Sequence, residues 1–510
     1  MLPLGQCEQT NGASPRTRAA EPPVAHVNLG EFSRDLLHEI RALHAAYGPL
    51  GVIQDGGQRV AFLFSPELNQ QVLSDTTRYQ ARFFAIRGPK NSAQRRLSGG
   101  LLSMNGQQHR RNRRLVKEPF SRRAISTYST TIARLTDEML DTWRPGELRD
   151  VAEDMRRYML QVTSTLLFGL DEPELALRLG DMIAEWVSMN DELGAGALVP
   201  NETFSNHYEE LLTYAEKLET EILRMIRRRR ESQGFGCDVL SILVRMHDEA
   251  GGLSDEELVG QAAVLFSAAH MTTAHSLSWT LFLLSQHPSV MQRLSDEWQH
   301  GDGDERMPGV DAVPEGAAWG DADSQQGPEE SLSLLERVIK ESMRVLPASA
   351  YSQRINVEAV ELGPYRLPRG TGIVFTPLVT HRLSEIYADP QRFLPDRWLT
   401  LRPSPYAYHP FGAGARMCIG GPLALVIMRV ALRRILTRFR LTVAEGANVS
   451  AHVESTMLVP TNGVPMIIHD ADGHFQSASV TGNIHELVDL VEAPAAEGGE
   501  PSPPLTRRPR

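Results

Sequence analysis

The stretch Phe411-Gly412-Ala413-Gly414-Ala415-Arg416-Met417-Cys418-Ile419-Gly420 decides the reading of this chain. It follows the pattern F-x-x-G-x-R-x-C-x-G, a glycine-rich loop built around one cysteine. Small residues such as Gly412 and Gly420 let backbone N–H groups approach the sulfur and steady it as a thiolate. An axial ligand to haem iron needs such a thiolate, which pushes electron density onto the metal. Phe411, at the loop's start, is placed to exclude water, and Arg416 to pair with a haem propionate. The competing reading is a buried cysteine in a glycine turn, and the segments outside the loop weigh against it.

Working outward, the 510-residue chain has 41% hydrophobic residues, enough for a large core, and its length alone suggests two or three domains. Its three cysteines, Cys7, Cys237 and Cys418, are scattered and form neither a disulfide framework nor a C-x-x-C metal pair. A reducing compartment fits, leaving Cys418 free to bind metal. The sequence has no apolar run long enough to span a bilayer, so no membrane anchor is expected. The net charge of −11 argues against nucleic acid as a partner.

Residues 1–25 are polar, rich in Pro, Ala and Arg, and read as a disordered leader. A globular pattern runs over residues 26–470, mostly helical with short strands near both ends. Within it, residues 301–330 read as a long acidic surface insertion. Residues 471–510 lose core character and read as a mostly disordered tail, with one amphipathic stretch at Ile484–Val491 that packs loosely on the body or, as the alternative, docks a partner.

Three further segments carry chemistry. Ser254-Asp255-Glu256-Glu257 is a capping box that opens an apolar helix of about 30 residues, roughly 45 Å long. At its middle, Ala268 and Ala269 leave room for a flat cofactor. The Thr272 hydroxyl can bond the carbonyl one turn back and loosen the ladder there. Next, Ser333–Leu346 reads as a helix carrying Glu341-x-x-Arg344, a pair on one face, and Arg397 of Pro395-Asp396-Arg397-Trp398 can close a three-way salt bridge with it. Last, His109 and Arg113 lie four apart on a basic helix, placed to grip two carboxylates.

In this order the segments resemble the cytochrome P-450 family of haem-thiolate monooxygenases. The resemblance covers residues 26–470 and implies one large, mainly α domain with a small β-sheet region, which overrules the prior from length. It implies haem b (iron protoporphyrin IX) with Cys418 as proximal ligand. His109, Arg113, Arg354 and Arg416 become propionate partners, and Phe411 with Gly412 and Gly420 shapes the thiolate loop. Glu341, Arg344 and Arg397 become a structural triad. Ala268, Ala269 and Thr272 become the distal catalytic segment. There the chain departs from the family pattern A-G-x-[D/E]-T: it reads Ala268-Ala269-His270-Met271-Thr272, with methionine where a carboxylate normally helps to relay protons.

The activity implied is insertion of one atom of O2 into a hydrophobic small molecule, by hydroxylation or epoxidation. No flavin or nicotinamide domain is visible, so electrons are expected from a ferredoxin or flavodoxin with its NAD(P)H reductase. Two basic clusters, Arg110, Arg111, Arg114 and Lys117, and Arg429, Arg433, Arg434 and Arg438, are expected to steer that acidic donor. The missing acid leaves open a peroxide-driven enzyme, and a non-catalytic haem-thiolate sensor is the remaining alternative. By analogy with bacterial relatives the expected compartment is the cytoplasm.

Overall fold

A computed structural model describes residues 20–81, 86–169, 172–196, 202–231, 236–248, 252–299 and 332–490. The expected acidic insertion at 301–330 lies outside these residues. The fold is mainly helical, and one apolar core runs from Leu37 to Val488 around the buried Trp143, Trp186 and Trp279.

The central helix, Asp255–Ser285, is the axle of the molecule. Its capping box forms as the sequence requires: Glu257 N–H donates to the Ser254 hydroxyl at 3.1 Å and Ser254 N–H returns the bond to the Glu257 carboxylate at 3.0 Å. Asn112 and Arg111 of the basic helix, Gly106–Val116, also donate to Glu257, so the cap doubles as a helix–helix joint. Nearby, the backbone of Gly100 presses onto the central helix. A Cβ on Gly100 would fall 2.3 Å from the Gly260 carbonyl oxygen, so only glycine fits. Gln261 fixes the same contact by accepting from Leu101 N–H at 3.1 Å.

Six strands form the larger sheet, in the order Val24–His26, Leu50–Asp55, Gln58–Leu63, Gly372–Phe375, Ser352–Asn356, Tyr79–Ala81. The turn at Gly56-Gly57 joins the second and third of these, with Asp55 opposite Gln58. A smaller sheet joins Phe439–Val443, Pro465–Asp470 and Leu148–Asp150.

Both ends depart from expectation. The leader read as residues 1–25 is already structured at Ala20, which bridges Tyr365, and at Val24–His26, which pairs with the sheet. The tail read as starting at 471 is ordered as far as Leu490. Val480–Thr481 pairs with Ala447–Asn448, and Ile484, Leu487 and Val488 are buried. The reason is apolar: three aliphatic side chains on one turn contribute enough burial to hold a segment that is otherwise polar.

Candidate functional site

The cysteine loop is held by its own backbone. Cys418 N–H donates to the Phe411 carbonyl at 2.9 Å and Met417 N–H to Gly414 at 3.0 Å. Gly412 and Gly414 sit at φ +70° and +69°, and a Cβ on Gly414 would meet the Leu73 carbonyl oxygen at 2.3 Å. Phe411 packs on the loop, its ring 3.4 Å from where a Gly421 Cβ would stand. Burial pushes the Cys418 thiol up, while the backbone N–H groups of Gly420 and Gly421 and the Arg113 charge pull it down. Yet Cys418 is exposed. The surrounding protein thus desolvates the sulfur without covering it.

The central helix shows the same signature. It is buried from Leu258 to Ser285 except at one window: Ala268 is exposed, and Ser267, Ala269, Met271 and Thr272 are half-buried. Thr272 Oγ1 donates to the Ala268 carbonyl at 2.9 Å, as its spacing predicts. His270 turns away from the window, with Nε2 3.3 Å from the Arg156 carbonyl and its ring 5.6 Å from Phe266. It does not stand in for the missing acid.

Burial holds His270, His275 and His409 neutral, each with its pKa lowered from 6.5 to about 4. The unfolded chain binds protons that the folded one refuses. Their stabilisation is therefore complete above pH 6.5 and lost as pH falls toward 4. We expect a loss of about 1–2 kcal/mol per histidine by pH 5. Urea unfolding at pH 7.5 and 5.5 checks this, and a flat profile would refute it.

A cluster of cations lies beside the cysteine loop. His109 is lowered to about 4 by burial, and then by the charges of Arg416, Arg113, Arg354 and Arg110. Arg354 and Arg416 are each lowered to about 10, first by burial. Arg113 donates to the Met417 carbonyl at 2.5 Å, and Arg416 to Asn105 Oδ1 at 2.6 Å, while Arg416 Nε has no partner. Arg354 bonds only the Gln353 carbonyl and stacks 5.3 Å from the Phe375 ring centre. Among the described residues no carboxylate pairs with Arg113, Arg354 or Arg416. Desolvated cations without anions are costly, so the cluster is built for an anionic group that comes from outside the chain. The donor set fits haem: one thiol that the protein leaves uncovered, an adjoining cluster for two propionates, and a central helix open around Ala268.

The family model for Cytochrome P450 matches residues 21–466. The chain belongs to the cytochrome P450 family. It is 31% identical over 456 residues to pentalenene oxygenase of Streptomyces avermitilis, covering 86% of this chain and 94% of that protein. Identity to cyclooctat-9-en-7-ol 5-monooxygenase of Streptomyces melanosporofaciens is 30%, over 79% of this chain and 85% of that one. The retinoic acid-bound cyanobacterial CYP120A1 structure superposes with a TM-score of 0.70 at 21% identity, over 89% of this chain and all (100%) of that one. The P450 is thus a haem-iron monooxygenase by family, and no helix among its described residues is long and apolar enough to cross a membrane.

The E-x-x-R helix of this P450, Leu334–Val345, brings the three triad residues together. Arg344 grips Glu341 with two bonds of 2.9 and 3.0 Å, and Arg397 Nε donates to the same carboxylate at 2.9 Å. Trp398 Nε1 and Leu394 N–H, which the sequence reading missed, add bonds of 2.9 Å each. Arg344 spends its remaining donors on the carbonyls of His381, Pro390 and Arg392.

The second basic cluster needs correction. Arg429 pairs with Glu336, Arg434 with Asp137 and Arg438 with Asp141. Arg111 of the first cluster is taken by Glu257. These carboxylates lie far away in sequence, so the pattern of arginines alone overstated the free positive charge. Arg110, Arg114 and Lys117 remain together, lining a groove of about 410 Å³ with Ala415 and Arg416.

Proposed function

We propose that this P450 is a haem b monooxygenase that oxidises an apolar, terpene-type hydrocarbon skeleton, with electrons from a separate ferredoxin or flavodoxin. What carries the reading is that the Cys418 thiol and the Ala268–Thr272 stretch of an otherwise buried central helix are both left uncovered. The names of the two Streptomyces relatives support the substrate class.

Bound haem iron would supply the redox chemistry by which one atom of O2 enters the substrate. Cys418 would hold the iron as a thiolate, stabilised by the Gly420 and Gly421 amides and by Arg113. His109, Arg113, Arg354 and Arg416 would hold the propionates, and Phe411 would keep water from the sulfur. Thr272 would position water at the window, its own proton donated to Ala268. A Met271 thioether can neither store nor release a proton, so supply rests on Thr272 and water alone. Met271→Glu is therefore expected to raise product formed per NAD(P)H consumed several-fold. Unchanged coupling would refute that role.

Met271 also favours a second reading, a peroxide-driven enzyme. Incubating the purified haem protein with terpenes separates the two. Product with O2 and a ferredoxin system supports the first, and product with peroxide alone supports the second. If neither yields product and no terpene shifts the ferric spectrum, the terpene reading fails. For the electron donor, charge reversal by Arg110→Glu with Arg114→Glu should slow reduction about tenfold or more at low salt. Arg434→Glu, already neutralised in the fold, should have little effect; equal slowing by both would refute the assignment.

A further inference from the structure

A line of buried hydrogen bonds runs from the E-x-x-R triad to the cysteine loop, and it passes through His381. Arg344, already clamped on Glu341, donates from Nη1 to the His381 carbonyl at 3.0 Å. The His381 ring reaches the segment that leads into the loop, where its Nε2 accepts from the His409 backbone N–H at 2.9 Å. The His409 carbonyl accepts from Gly412 N–H at 2.9 Å. Inside that turn, the Phe411 carbonyl accepts from Cys418 N–H, also at 2.9 Å. Glu341, Arg344 and His381 are fully buried and His409 is 2% exposed, so these bonds are made away from bulk water.

Local structure puts His381 at this junction. It ends the short buried helix Pro377–Thr380, its own N–H donating to the Pro377 carbonyl at 3.0 Å. A backbone N–H can only donate, so Nε2 is the bare nitrogen and the ring proton sits on Nδ1. Burial first, then the neighbouring His409, Arg344 and Arg382, keep the ring neutral. It also packs with its centre 5.1 Å from the rings of Tyr408 and His409. The residues just before His409 have anchors of their own. Asn69 Nδ2 donates to the Tyr406 carbonyl at 3.3 Å, the Tyr387 hydroxyl to the Ala407 carbonyl at 3.0 Å, and the Tyr408 hydroxyl to the Lys340 carbonyl at 2.9 Å. The bond from His381 to His409 can therefore be removed without dismantling the segment.

We propose that His381 is a positioning residue for the thiolate ligand: its Nε2 fixes the His409 amide and, through the His409–Gly412 turn, the Phe411 carbonyl that holds the Cys418 amide. This rests on the reading of Cys418 as the iron's thiolate. With the acceptor gone, the buried His409 N–H is stranded, and the turn can satisfy it only by shifting. The sulfur at the far end of the loop then loses the backbone geometry that aims it. His381 touches neither iron nor substrate in this role; it acts through the loop.

The test compares the full-length haem-loaded wild type with His381→Phe and His381→Gln. Phe keeps a ring of similar shape but has no acceptor, whereas Gln loses the ring and carries an acceptor, Oε1, at the reach of Nε2. The readout is the thiolate signature of the ferrous–CO spectrum and the rate at which mild warming destroys it. His381→Phe should lose the signature about tenfold or more faster than wild type, and His381→Gln should stay within about threefold. A ring that merely packs against Tyr408 gives the opposite order, with Phe near wild type and Gln impaired, and that order overturns the proposal. So does a signature equally durable in all three proteins, or one lost as fast in His381→Gln as in His381→Phe. If His381→Phe yields no folded haem protein, His381→Gln decides: a durable signature upholds the role and a lost one overturns it. If the wild type itself binds haem without a thiolate signature, the reading of Cys418 fails and takes the role of His381 with it.

Discussion

Glu341→Ala is expected to yield no stably folded haem protein. The carboxylate is fully buried and accepts from both Arg344 and Arg397, with Trp398 Nε1 and Leu394 N–H completing its shell. Removing one partner of a buried ion pair typically costs about 3–5 kcal/mol, because the other charge stays behind without compensation. Here two guanidiniums are left. Two N–H donors are stranded as well, at about 1–3 kcal/mol each. The sum reaches the whole stability of an ordinary domain, about 5–15 kcal/mol. Glu341→Gln keeps the shape and an acceptor but not the charge, and should fold with a much lowered melting temperature. The readouts are the yield of soluble haem protein and its thermal unfolding. A Glu341→Ala protein that melts within a few degrees of wild type would show that the triad is dispensable.

The second large effect is expected from cutting the chain after Asp472. The last described residues form a strap across the body. Val480–Thr481 adds to Ala447–Asn448, Asp489 N–H donates to the Gln391 carbonyl at 2.9 Å, and Arg41 pairs with Glu486. Ile484, Leu487 and Val488 are at most 1% exposed. Uncovering three such side chains and the surface beneath them costs about 1.5–3 kcal/mol each. The cut also takes the Leu487 carbonyl from Arg382, which donates to it at 3.0 Å. Arg382 is deeply enough buried that its pKa is lowered to about 9, and it adjoins His381, whose carbonyl accepts from Arg344. Damage at the strap therefore reaches the triad. The truncated protein should melt well below wild type and lose haem first. Ile484→Ala alone should cost about 2–5 kcal/mol. A truncated protein with unchanged melting would show that the strap only decorates the surface.

Much of this molecule was legible because it is local. The capping box of Ser254 with Glu257 formed as read, since four consecutive residues contain the whole motif, and the structure adds a second, Ser333 with Glu336. The cysteine loop was legible for the same reason: its glycines, its aromatic and its cysteine lie within ten residues whose backbone closes on itself. Glu341 and Arg344 pair because one helical turn brings them together.

What depends on distant partners could not be read. The arginines after Cys418 looked free until Asp137, Asp141 and Glu336 came to meet them. The tail looked polar until three aliphatic side chains found a surface. The central helix is apolar all round, so no periodicity marks its open side. Only the packing of every other face leaves Ala268–Thr272 uncovered. The sequence alone marked the cysteine loop, because that loop is a local structure. Only the tertiary structure decided which arginines are paired with carboxylates and which side of the central helix stays open, because both depend on everything packed around a group.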